Sequence, residues 1–174
     1  MKIAADVTGI LLLAVIAVQD FKSRLISWWL IPLLLGAFIT AGLATLPGKS
    51  IAAFFSVNLL LLLVQGLLIF SWFSIRNRRW TNIVNTAIGL GDLLFLVCMA
   101  SAFSTLNFIA AFVAGLFVTL LVFSLARFFH PGSRKEIPLA GMLSILMIGL
   151  LGWKIISPET NFYSDDFLLS MLTL

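Results

Sequence analysis

Charged residues, cysteine and histidine are all scarce in this sequence of 174 residues. Only 10% of the residues are charged, against about 25% in an ordinary soluble domain. Apolar residues reach 61%, well above the usual share of about 45–50%. This balance excludes a water-soluble globular protein and a disordered protein. It also excludes a nucleic-acid binder, because 11 lysines and arginines are too few to line a basic groove on a soluble surface.

The single cysteine and the single histidine restrict the chemistry further. Cys98 lies in an apolar stretch, and one cysteine can form neither an internal disulfide nor a multi-cysteine zinc site. His130 precedes Pro131-Gly132 in a polar turn, which does not favour a Ser-His-Asp triad or a histidine-rich metal site. No glycine-rich phosphate loop with its lysine is present. We therefore expect neither a metal ion nor a cofactor.

Long apolar runs dominate what remains. A helix needs roughly 20 apolar residues to cross the hydrocarbon core of a bilayer, and lipid offers backbone groups no water partner, so such runs should be α-helical. The sequence predicts an all-α, polytopic membrane protein, a single domain over residues 1–174 with six transmembrane helices and a C-terminal tail. The predicted spans and tail are 3–19, 26–46, 51–73, 89–103, 106–129, 137–157 and 158–174.

The distribution of cations predicts the orientation. Cations that follow the first, third and fifth runs outnumber those on the opposite side, which are Lys2, Lys49 and Lys154. The richer side carries Lys22, Arg24, Arg76, Arg78, Arg79, Arg127, Arg134 and Lys135. The positive-inside rule places that side in the cytoplasm, so both termini are expected outside a cell membrane, the cytoplasmic or inner one.

Residues 78–88 do not fit a simple span. Apolar side chains recur there at helical spacing, which predicts an amphipathic helix on the cytoplasmic surface just before the fourth span. The stripe consists of Trp80, Ile83, Val84, Ala87 and Ile88. The alternative is that this segment is only the polar-tolerant start of the fourth span.

Acidic residues at membrane depth are the most informative ones, because each costs about 2.5–3.5 kcal/mol at the centre of a span. Asp6 lies one to two turns from the outer end, so we expect an interfacial acid that reaches water. Asp20 ends the first span and Asp92 begins the fourth, both on the cytoplasmic side. Their similar depth on different helices allows the two carboxylates to meet.

Two adjacent carboxylates suit peptide hydrolysis. Because like charges close together cannot both ionise, the pair shares a proton, and one member can activate water while the other donates to the scissile carbonyl. Gly89 and Gly91 precede Asp92 and would let another backbone approach closely. Arg24 either orients Asp20 or serves only as an orientation charge; the sequence favours neither.

At these residues the chain resembles the type IV prepilin peptidase family, which includes the preflagellin peptidases. Three elements match in order. Residues 20–26 (Asp-Phe-Lys-Ser-Arg-Leu-Ile) resemble the family's Asp-x-x-x-Arg-x-Ile-Pro element, residues 89–92 its Gly-x-Gly-Asp motif, and residues 137–140 its Ile-Pro-Phe/Leu-Ala/Gly element. Three positions depart from the family pattern, with Ser27 for proline, Leu94 for lysine and Gly141 for proline.

The resemblance implies an aspartic endopeptidase of the membrane. Its catalytic residues would be Asp20 and Asp92, shaped by Gly89, Gly91 and Arg24, and its protein partner a prepilin-like substrate with a short basic leader cut after glycine on the cytoplasmic side. Two alternatives remain open: a catalytically inactive homologue that binds prepilins or acts as a scaffold, and a small proton-coupled transporter in which the acids bind cations.

Overall fold

The computed structural model describes residues 2–77, 89–129 and 137–165, and all regular structure within these ranges is helical. The predicted all-α class is confirmed for this part of the chain. The predicted surface helix at 78–88 lies outside the described residues, as does His130. Within the described ranges six helices follow one another: α1 Lys2–Ser23, α2 Leu30–Leu43, α3 Gly48–Asn77, α4 Leu90–Ala100, α5 Thr105–Phe129 and α6 Leu139–Ile156.

Four of the helices, α1, α3, α5 and α6, are long and apolar enough to cross a membrane, which indicates a membrane protein. The other two are shorter than their apolar runs: α2 has 14 residues and α4 has 11. At a rise of 1.5 Å per residue they are only about 21 and 16 Å long, against a hydrocarbon core of about 30 Å. Six spans and two outer termini therefore stay a prediction.

The end of α4 is set by a buried amide. The Asn58 side chain of α3 is fully buried, and its Nδ2 donates to the carbonyls of Ala100 (2.9 Å) and Phe103 (3.1 Å). Carbonyls at the end of a helix lack intrahelical partners, and a side-chain donor can take that place. The helix stops at Ala100 although the apolar run continues to residue 103.

Polar contacts at both ends also shorten α2. Before the helix, the Ser27 N–H donates to Gln19 Oε1 at 2.9 Å, which folds the connecting loop back along α1. After it, the N–H groups of Thr45 and Leu46 both donate to the Gly42 carbonyl, at 2.8 and 2.9 Å. The apolar residues beyond these points lie in turns.

The most extensive packing is between α1 and α6, which run antiparallel. At one end of the pair, Lys154 Nζ donates to Asp6 Oδ1 at 2.7 Å. At the other end, the Gly141 N–H donates to Asp20 Oδ2 at 2.6 Å. The stretch from Asp6 to Asp20 on α1 is nearly as long as the stretch from Gly141 to Lys154 on α6. Each stretch extends for about 20 Å along its helix axis. The register of the pair is thus fixed at both ends.

Asp6 is not the water-exposed acid that the sequence predicted. Its side chain and that of Lys154 are each only 5% exposed. The Lys154 ammonium lies 5.9 Å from the centre of the Tyr163 ring, and the Tyr163 hydroxyl donates to the Phe38 carbonyl at 2.8 Å. Burial, and then the Asp6 carboxylate, raise the pKa of Tyr163, so its hydroxyl keeps the proton that it donates. These contacts hold segment 157–165 against this end of the helices.

The apolar core joins α1, α2, α4 and α6. Its fully buried members include Leu13, Ile16, Leu30, Leu34, Phe95, Met99, Leu143 and Met147. The long helix α3 contributes little to it, since only 6% of its most apolar stretch is buried inside the protein. Most of the α3 surface is apolar and exposed, as expected for a helix that faces lipid.

The helices alternate in direction, so α1, α3 and α5 end on the side where α2, α4 and α6 begin. We call this side the basic end, because Lys22, Arg76 and Arg127 lie in the last turns of α1, α3 and α5. The direction of α3 follows from Asn58, which lies in its first half and contacts the end of α4. In the described part of the chain, the cations at the ends of α1, α3 and α5 therefore lie on one side of the protein, as the charge pattern of the sequence indicates.

We expect the single changes Asp6→Ala and Lys154→Ala to destabilise the protein strongly, by roughly 3–5 kcal/mol, because each leaves its partner buried and uncompensated. The double change Asp6→Leu with Lys154→Met should cost less than either. The free energy of unfolding in detergent measures both effects. Lys49→Ala removes an exposed lysine and is the control. If Asp6→Ala or Lys154→Ala were as stable as this control, the ion pair between Asp6 and Lys154 could not be buried as described.

Candidate functional site

Asp20 lies in the last turn of α1 and is 5% exposed. Its Oδ2 accepts a hydrogen bond from the Gly141 N–H at the start of α6, a residue 121 positions away in the sequence. The 2.6 Å separation is short even for a charge-assisted bond to an amide. The antiparallel packing of α1 on α6 places the carboxylate directly before the first turn of α6.

Asp92 is the third residue of α4, and Gly89 is the N-cap of that helix in an extended conformation. An acid at this position commonly reaches back to the N-cap backbone, which supplies a partner for an unsatisfied N–H. Asp92 makes such a backbone hydrogen bond with Gly89. Its Oδ1 accepts a second bond from the Ala140 N–H at 3.0 Å. The side chain remains partly open to solvent.

Both predicted carboxylates therefore meet at the first turn of α6, where they bind the amides of the consecutive residues Ala140 and Gly141. Asp92 lies within electrostatic range of Asp20. The structure thus joins the three elements that the sequence singled out, at residues 20–26, 89–92 and 137–140. All three lie at the basic end.

The two predicted glycines serve different neighbours. A Cβ on Gly89 would lie 3.0 Å from Asp92 Oδ2, so this glycine leaves space for the carboxylate that caps its own helix. A Cβ on Gly91 would lie 3.2 Å from Ile26 Cδ1. Gly91 therefore allows the loop after α1 to pack closely on the start of α4. That contact joins the first two elements of the site directly.

Arg24 directly follows α1 and has a left-handed conformation, with φ of 58°. Its N–H donates to the Asp20 carbonyl at 3.1 Å, the bond that closes a helix whose next residue is left-handed. This conformation costs a residue with a side chain roughly 1–2 kcal/mol. The guanidinium is partly buried, and its positive charge acts on both Asp20 and Asp92. Arg24 thus lies near both carboxylates, and its role stays a prediction.

Four contributors to the site were not predicted from the sequence: the amides of Ala140 and Gly141, and the side chains of Gln19 and Phe21. Gln19 fixes the loop after α1, and a Cβ on Gly141 would lie 3.1 Å from the Phe21 ring. The signal for the amides was Pro138, because a proline marks a helix start and the next amides then lack intrahelical partners. Gly141 stands where the resembled element often has proline, and it donates an N–H that proline lacks.

The site offers two carboxylates, a neighbouring guanidinium and the positive end of a helix. Among the residues in the described ranges, no group of three or more His, Cys, Asp or Glu side chains lies close enough together to hold a metal ion. Close carboxylates share a proton, so the pair can act as base and acid in one reaction. The arrangement is suited to activating a water molecule beside a polarised carbonyl.

No protein-family model, curated protein or solved structure matches this chain. The resemblance to prepilin peptidases therefore stays a prediction that rests on the three sequence elements.

The meeting of the two acids can be tested without any substrate. In a Cys98→Ala background, Asp20→Cys with Asp92→Cys should be joined by a short bifunctional thiol reagent, because both positions face the first turn of α6. Trypsin cleavage in the basic stretch after α3 separates the two positions, so a gel shows whether the fragments stay linked. The control pair is Val18→Cys with Asp92→Cys, since Val18 lies at similar depth but is 64% exposed. Equal linking of both pairs would contradict the proximity of Asp20 and Asp92.

Proposed function

We propose that this protein is a membrane aspartic endopeptidase that removes the short basic leader of prepilin-like proteins, cutting after glycine at the cytoplasmic side of a cell membrane. Asp20 and Asp92 form its acid–base pair. The observation that carries the proposal is the pair of hydrogen bonds from consecutive amides of α6, Gly141 to Asp20 and Ala140 to Asp92. Two carboxylates from different helices meet there, at one end of the helices.

The chemistry needs only the two carboxylates and water. The ionised member takes a proton from water, whose oxygen attacks the scissile carbonyl carbon, while the protonated member donates to the carbonyl oxygen. Collapse of the resulting tetrahedral species breaks the C–N bond, and the departing nitrogen takes up a proton from the pair. The two aspartates act as a coupled unit, so the exchanged proton belongs to the pair.

The position of the site fits the proposed substrate. Basic residues in the last turns of α1, α3 and α5 support a cytoplasmic location of this end. A basic leader remains in the cytoplasm, whereas the apolar helix behind it lies in the bilayer beside the enzyme. Because α4 is only 11 residues long, its first turn and Asp92 can lie below the membrane surface, near the boundary between leader and helix.

Asp20→Asn and Asp92→Asn should each lower cleavage of a prepilin-like protein from the same genome by at least about 100-fold, the smallest usual contribution of a general acid or base. The measurement uses purified protein in lipid, with the product identified by mass. Glu159→Gln also removes a carboxylate, but an exposed one far from the site, and should cleave like wild type.

The outcomes separate the alternatives. Undiminished cleavage by either asparagine variant would remove that aspartate from the mechanism. A folded wild type that binds cognate prepilins but cuts none of them would favour a non-catalytic scaffold, with Leu94 in place of lysine as the first position to exchange. Proton-coupled uptake by reconstituted vesicles, abolished by the same two variants, would favour a transporter.

A further inference from the structure

The start of α6 leaves three amides without intrahelical partners. Pro138 is the N-cap residue, and the Met142 N–H, at 3.1 Å from the Pro138 carbonyl, is the first that bonds within the helix. The amides of Leu139, Ala140 and Gly141 therefore need other acceptors. Two of the three are hydrogen-bonded to the aspartates.

We propose that Gly141 is a positioning residue, whose backbone N–H holds the Asp20 carboxylate beside Asp92 and stabilises the single negative charge that the two acids share. The catalytic meaning of this role rests on the proposed function. The contact itself is observed in the structure and does not depend on that function. Gly141 contributes only its backbone to the contact, so its residue type gives no sign of this role.

The tight space favours glycine at this position, and the hydrogen bond excludes proline. A Cβ on Gly141 would lie 3.0 Å from Asp20 Oδ2 and 3.1 Å from the Phe21 ring. Each of these contacts is tighter than ordinary van der Waals distance, so an added Cβ shifts the carboxylate or the ring by a few tenths of an ångström. Glycine gives the closest approach and keeps the donor.

The charge of the pair gives the contact its importance. Asp20 is almost fully buried, and a buried carboxylate without a donor gives up its charge by taking a proton. The Gly141 amide at 2.6 Å and the positive end of α6 oppose that loss. Ala140 holds Asp92 in the same way from the preceding residue, so the backbone of one helical turn sets the distance between the two acids.

The contact can be measured by NMR on protein labelled with ¹⁵N-glycine in detergent. The chain has 12 glycines, and the peak that disappears in Gly141→Ala is that of Gly141. We expect its amide proton to lie far downfield in wild type, less so in Asp20→Asn, which keeps an acceptor without the charge, and least in Asp20→Leu, which has neither. The wild-type peak should move most with pH, because only Asp92, bound to the neighbouring Ala140 amide, still titrates at this site in the two variants. A peak that is the same in all three proteins would overturn the proposal.

The functional consequence is tested by Gly141→Pro against Gly141→Ala. Both add a Cβ, but only proline removes the N–H. Gly141→Pro should lower kcat on the order of 10-fold or more below Gly141→Ala, because a donor to a charged group is lost, while KM changes little. The acid limb of its pH–rate profile should move to higher pH, since a carboxylate without its donor takes up a proton more readily. Equal losses with the same pH profile would show that only the added carbon matters.

The two experiments fail independently. If wild type cuts no cognate substrate while the Gly141 peak follows the Asp20 series, the contact stands and the proposed peptidase does not. If wild type cuts its substrate and the peak ignores Asp20, the peptidase stands and the positioning role is lost. Should Gly141→Pro not fold, the NMR series alone decides.

Discussion

The antiparallel pairing of α1 with α6, tied by a polar contact at each end, is the constraint on which the rest of the structure depends. At one end Asp6 and Lys154 form a buried ion pair, and at the other end Asp20 accepts from Gly141. A slip of one residue along this pair would turn both acids by about 100° around α1 and separate them from their partners. Two contacts about 20 Å apart therefore fix one register, which apolar packing alone specifies weakly.

The position of the site follows from this register. Once α1 and α6 are aligned, Asp20 stands before the first turn of α6, where free amides await acceptors. In the loop after α1, Ile26 packs against Gly91, and this contact brings the start of α4 to the same place. Asp92 completes the arrangement from α4. Most of the hydrogen bonds in the site thus satisfy backbone groups that are unpaired at the ends of helices in any protein. The feature specific to this site is the proximity of the two acids.

The sequence predicted what depends on composition and local pattern. Apolar runs located the six helices of the described residues, and the scarcity of acids drew attention to Asp20 and Asp92. Helix ends were less accurate, because Asn58 takes up the carbonyls at the end of α4 from a distant part of the chain. The pairing of Asp6 with Lys154 was missed for the same reason, since two ionisable residues at opposite ends of a sequence give no local sign of contact. Every residue except proline has a backbone N–H, so the residue type did not reveal that the Gly141 amide is a donor in the site.

The helix α3 has a mechanical consequence. Its 30 residues extend for about 45 Å, well beyond a hydrocarbon core of about 30 Å, and little of its surface is held by the rest of the protein. Such a helix adjusts to its bilayer by tilting. The α1–α6 pair is fastened at both ends, so its two helices keep one register and tilt only together. We expect a change of lipid thickness to alter the tilt of α3 more than the register of the α1–α6 pair, with the contact of Asn58 to the end of α4 as the fixed point.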